Sequence, residues 1–129
     1  MENELILTVN VACTEAYYVE GHRRNRAMIP FTGTAEGPYF TGRVMGTGTD
    51  TQKISKNGEC MLSARYMLEG TDCAGKACKV FIENESTEGG KLRPSIVTDS
   101  DALADWENFE LLSEIEPVEN GVKVRIYKN

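Results

Sequence analysis

Period two dominates this sequence, and helical spacing is nearly absent from it. Leu5, Leu7, Val9 and Val11 alternate with Ile6, Thr8, Asn10 and Ala12. Successive side chains of a β-strand point to opposite faces, so this run reads as a half-buried strand. The same alternation predicts strands over Met28 to Thr34, Tyr39 to Met45, Gln52 to Lys56, Glu59 to Leu68, Ala77 to Asn84, Leu92 to Thr98, Phe109 to Ile115 and Val122 to Tyr127. Turn residues separate them: Glu36-Gly37-Pro38, Ala74-Gly75, Gly89-Gly90, and a loop holding Pro117 and Asn120-Gly121. Asn57-Gly58 is the strongest hairpin signal, because both residues tolerate positive φ. One stretch departs from the pattern. Thr98 to Trp106 predicts a single helical turn capped by Asp99 or Ser100, too short to stand alone.

About nine antiparallel strands joined by tight turns leave a closed barrel or a sandwich. No cysteine follows Trp106, so the Cys…Trp…Cys spacing of an immunoglobulin-type sandwich is absent. Short sequential hairpins favour a barrel, which also removes the exposed edges of an open sheet. The 129 residues suffice for one core, with roughly two thirds of the unfolded surface buried. The expectation is all-β: one domain over 1–129, an antiparallel β-barrel with one short helical turn before the last two strands.

Charge and cysteine usage narrow the partners. Fourteen Lys+Arg against 20 Asp+Glu gives a net charge of −6. A groove for a phosphate backbone needs a basic stripe. Here the one basic cluster is His22, Arg23, Arg24 and Arg26, while Lys123, Arg125 and Lys128 are spaced along a strand. Nucleic acid is therefore not an expected partner. No apolar run approaches the ~18 residues of a membrane span, so no membrane partner is expected either. The start, Met1-Glu2-Asn3-Glu4-Leu5, is acidic where a secretory signal would be basic. These features predict a cytoplasmic protein whose Cys13, Cys60, Cys73 and Cys78 are thiols. A single histidine excludes sites that need two. Cys73 and Cys78, with Cys60 on a neighbouring strand, make a weak zinc pattern that buried small residues explain as well. No metal and no cofactor is expected.

Several segments in order, Ile29 to Pro38, Gly42-Arg43-Val44, Gly46-Thr47-Gly48-Thr49-Asp50, Ala64-Arg65-Tyr66, Thr71-Asp72 with Gly75, Trp106-x-Asn108 and a closing Ile126-Tyr127, together form a recognisable pattern. The chain resembles, from about Ile29 to Tyr127, an uncharacterised bacterial family of small barrels known as domain of unknown function 3237. The resemblance implies a calycin-like antiparallel barrel and no particular activity. Two departures stand out: Ser63 where the family usually has an aspartate, and Asp72-Cys73-Ala74-Gly75 in place of its Asp-Gly pair.

Candidate chemistry is sparse. Gly46 to Asp50 could cradle a phosphate, but it lacks the Lys-Ser/Thr and helix start of a P-loop. The alternative is a turn whose glycines supply positive φ and whose Asp50 bonds nearby backbone. On the next strand Leu62, Ala64, Tyr66 and Leu68 should face the core and Arg65 should point outward beside Ser63, unless a polar cavity reverses the faces. Cys78, Val80, Ile82 and Asn84 should face inward too. Tyr17, Tyr18 and His22 to Arg26 suit either a loop that closes a barrel mouth over an anionic ligand or a solvated loop. Trp106 suits a core plug or a stacking platform. The candidate ligand-binding residues are therefore His22, Arg24, Asp50, Arg65, Tyr66, Asp72 and Trp106, with no catalytic residue singled out. Acid–base chemistry by Glu36, Asp50, Asp72 or Tyr66 would need a converging pair. The expected function is a small organic molecule bound in the barrel or at its mouth. The alternatives are a cofactor-free isomerase, cyclase or lyase using a carboxylate and a tyrosine, with Arg65 or the loop arginines neutralising substrate charge, and a homo-oligomeric interaction module without a ligand.

Overall fold

Ten strands alternate with tight turns in the computed structural model, which describes residues 3–87 and 91–129. They are β1 (Glu4–Cys13), β2 (Tyr17–Glu20), β3 (Arg24–Glu36), β4 (Phe40–Val44), β5 (Gly48–Ser55), β6 (Cys60–Asp72), β7 (Ala77–Ser86), β8 (Leu92–Thr98), β9 (Leu111–Val118) and β10 (Gly121–Lys128). The expected turn at Gly89-Gly90 lies outside the described residues. Every ladder is antiparallel, in the order β8-β7-β6-β4-β3-β1-β10-β9. β5 continues the lane of β4 between β3 and β6, and β2 continues the lane of β1 along β3. Ten strands thus share eight lanes, a width at which a barrel interior fills with side chains or holds one small ligand.

Where the lanes meet, β8 and β9 share no ladder among the described residues. The seam is closed by side chains. Arg93 Nη1 meets Glu110 Oε1 at 3.0 Å on the surface, and Asn84 reaches Ser113 inside. Pro117 fits in β9 because that strand's outer edge donates no ladder bond.

The barrel has a packed half and an open half. Leu7, Val9, Leu68, Val80, Ile82 and Ile126 are fully buried, each contributing about 1.5–3 kcal/mol of transfer free energy. A bulge between Leu5 and Leu7 turns both Ile6 and Leu7 inward and leaves Leu5 exposed. At this end Trp106 is buried, with Tyr39 edge-on to it at 6.4 Å between ring centres. Phe40 and Leu103 complete the plug.

The structure corrects several local expectations. The helical turn is a 3-10 turn at Ala104–Glu107 that has no side-chain cap. Ser100 instead accepts from Leu103 N–H at 3.2 Å, and Asp99 accepts from Lys79 N–H at 2.8 Å. At Asn57-Gly58 only the glycine takes positive φ, at 95°; the hairpin closes by Gly58 N–H to the Ser55 carbonyl at 3.0 Å. Thr49 and Asp50 are not turn residues but strand residues of β5. β2, absent from the sequence reading, is exposed along its whole length and so carries no buried alternation.

Candidate functional site

Ladder register arranges the inward side chains of the open half in rows. Ile29 pairs with Asp50, Asp50 with Ala64, and Ala64 with Asn84. One row deeper, Phe31 pairs with Gly48 and Tyr66 with Ile82. A Cβ on Gly48 would stand 2.6 Å from Tyr66 Cβ and 2.6 Å from Phe31 Cζ. Its glycine is therefore what lets the Phe31 ring pack edge-on to Tyr66, 5.4 Å between ring centres.

Above this layer lies a cavity of about 270 Å³. Its walls are apolar: Val11, Ile29, Phe31, Ala64, Val122 and Val124. Cys13 and Ile115 line it and also reach solvent, which makes them its rim. Four lining residues are polar: Asp50, Gln52, Tyr66 and Asn84. Asn84 is spoken for, since its Nδ2 donates to Ser113 Oγ at 3.0 Å. Gln52 Nε2 donates to Asp50 Oδ2 at 3.0 Å, which fixes the carboxyl group and leaves Oδ1 without a partner. Asp50 Oδ1 and Tyr66 Oη are both buried and unbonded. Burial raises the Asp50 carboxyl above its ordinary 3.8, with the Gln52 bond opposing the rise. Burial also pushes the Tyr66 hydroxyl up, so it stays a neutral donor.

Of the sequence candidates, Asp50 and Tyr66 come together here. The others lie elsewhere. Arg65 is on the outer face, where Nε meets Glu83 Oε2 at 2.7 Å. His22 is exposed on the β2–β3 connection, and Arg24 is exposed at the start of β3. Asp72 sits at the packed end, where its carboxylate accepts from Ser100 Oγ at 2.7 Å and from Ala74 and Lys76 N–H at 2.9 and 3.1 Å. Those bonds, Ser100's first, hold its carboxyl below the usual value. Trp106 belongs to the plug. Gln52 was missed by the sequence reading, although its period-two spacing from Asp50 was visible.

Among the described residues, no three His, Cys, Asp or Glu side chains come together in a way that could hold a metal ion. Cys60 begins β6 and Cys73 follows its end, so the strand's 13 residues keep those thiols apart.

The family described as "Protein of unknown function (DUF3237)" matches residues 1–85. The chain belongs to this family. The DUF3237 match takes in the N-terminal strands that the motif pattern left out, while Trp106-x-Asn108 and the closing strand fall outside it. A UPF0311 protein of Clostridium acetobutylicum is 38% identical over 60 residues, 46% of this chain. The chain covers only about a third of that protein, 35% of its length. Among solved structures, a protein of unknown function from Clostridium acetobutylicum superposes with a TM-score of 0.83 at 21% identity, covering 99% of each chain. A structure described as an enzyme from Penicillium herquei superposes with a TM-score of 0.75 at 17% identity, covering 98% of this chain and 94% of that one. At such identities the likeness shows a shared fold. No helix among the described residues is long and apolar enough to cross a membrane.

Proposed function

We propose that this DUF3237 protein binds a small organic molecule inside the barrel, with Asp50 and Tyr66 as its polar anchors. The observation that carries this reading is the pair of unbonded buried atoms, Asp50 Oδ1 and Tyr66 Oη, on one apolar cavity. Each unbonded buried polar atom costs about 1–3 kcal/mol, so a bound molecule that bonds these two would recover that cost. The volume fits, since a dry engineered cavity of about 150 Å³ already binds benzene. We place the protein in the cytoplasm, a reading supported by its free thiols.

The test is a thermal-shift screen of small neutral and charged organic molecules against the protein and an Ala64→Phe variant, whose ring fills the space between Asp50 and Asn84. Binding stabilises the folded state in proportion to occupancy. Hits that raise Tm for the protein and not for the folded variant are expected; a screen with no hits, or hits indifferent to Ala64→Phe, removes the reading.

A second reading has its own support. A carboxyl group raised by burial, fixed by Gln52 and sharing an apolar-walled cavity with a neutral phenol, suits proton transfer as an isomerase, cyclase or lyase would use it. The likeness to a structure described as an enzyme is compatible with it. Turnover of a screening hit that Asp50→Asn abolishes while binding persists would support the enzyme reading.

A further inference from the structure

The cavity's lining restricts what it accepts. Among the described residues that line it there is no lysine, arginine or histidine, and Asp50 is the sole carboxyl. Arg65, in the strand beside Asp50, projects from the outer face and is paired with Glu83. An anion in the cavity would lose its water next to a carboxyl group, with no cation to compensate. A plain hydrocarbon would leave Asp50 Oδ1 and Tyr66 Oη as they are. Asn84 and Gln52 are already engaged by Ser113 and Asp50, so two positions stay open, one acceptor on Asp50 and one donor on Tyr66. An uncharged hydroxyl can give to the first, and a hydroxyl or carbonyl oxygen can accept from the second.

We infer that the cavity takes uncharged compounds of one or two rings bearing a hydroxyl or carbonyl group, and rejects organic anions of the same shape. The inference rests on the cavity reading and names its ligand class. Size follows from the volume: about 270 Å³ exceeds the roughly 150 Å³ that accommodates benzene. Burial already raises the Asp50 carboxyl, and a second negative charge beside it would add like-charge repulsion.

Three probes on one ring system test it by isothermal titration at pH 7: 2-naphthol, naphthalene and 2-naphthoate. Expected is 2-naphthol tightest, about tenfold above naphthalene for one or two added hydrogen bonds, with 2-naphthoate weaker than 2-naphthol by at least that factor. Tyr66→Phe removes the hydroxyl alone, and in a variant shown folded by circular dichroism it should bring 2-naphthol toward naphthalene while naphthalene is unchanged. Equal binding of 2-naphthol and naphthalene, tightest binding of 2-naphthoate, or a preference that survives Tyr66→Phe overturns the inference and leaves the cavity reading standing. Binding of none of the three, or binding unaffected by Ala64→Phe, overturns both.

Discussion

Asn84 on β7 and Ser113 on β9 bond each other inside the barrel, Nδ2 to Oγ at 3.0 Å, although no ladder joins their strands. The pair therefore ties the two sides of the seam from within. Asn84→Ala should cost about 1–3 kcal/mol by leaving the Ser113 hydroxyl unbonded, and Ser113→Ala a comparable amount by orphaning the buried amide. Urea denaturation of the singles and the double should show coupling of about 1 kcal/mol. Additive effects would mean the bond contributes nothing to closure.

Gly48→Ala places a methyl group against Tyr66 Cβ and the Phe31 ring. Overpacking of this kind costs about 1–3 kcal/mol. The expected result is a lower denaturation midpoint with weaker binding of any cavity ligand. An unchanged midpoint would show that the Phe31–Tyr66 contact yields freely.

Asp50 and Asp72 should respond to acid in opposite senses. Asp50's carboxyl is raised above 3.8 by burial, so the folded chain holds its proton more tightly than the unfolded chain does. Its contribution to stability is complete below about pH 3.8 and is lost as pH rises through the folded value. Asp50→Asn should therefore be more stable than the parent at pH 7, with the gain vanishing in acid. Asp72 is held below 3.8, first by the Ser100 hydroxyl. Its contribution is present above that value and is lost as pH falls through the folded one. Asp72→Asn and Ser100→Ala should both lower the midpoint at neutral pH and flatten its decline in acid. Denaturation series between pH 2.5 and 7 check both, and parallel slopes for the two aspartate variants would refute the assignment.

Arg65 and Asp50 occupy adjacent strands but opposite faces of the barrel wall. Arg65→Ala should cost at most about 1 kcal/mol, as exposed pairs do, and should leave cavity binding unchanged. Combined with Asp50→Asn, the effects should add within about 0.5 kcal/mol. Strong coupling would place the guanidinium against the cavity.

The barrel was legible because its signals are local. Alternation placed Leu62, Ala64, Tyr66 and Leu68 on the inner face and Arg65 on the outer, since one residue of strand always reverses the side. Asp50 was harder. Gly46 to Asp50 reads as turn chemistry, and only Gly46 of its two glycines takes positive φ, at 58°. Gly48 is there for lack of a side chain, a demand made by Phe31 and Tyr66 from distant strands. β2 escaped notice because neither of its faces is buried. The cavity's polar groups were legible as residues but not as a set, because register between β3, β5, β6 and β7 decides which of them meet.

The plug formed by Trp106, Tyr39, Phe40 and Leu103 makes the barrel a cul-de-sac. On the proposed binding function, a molecule that enters past Cys13 and Ile115 would leave the same way, so one opening would govern both loading and escape. Anything lodged against that rim halts traffic in both directions at once.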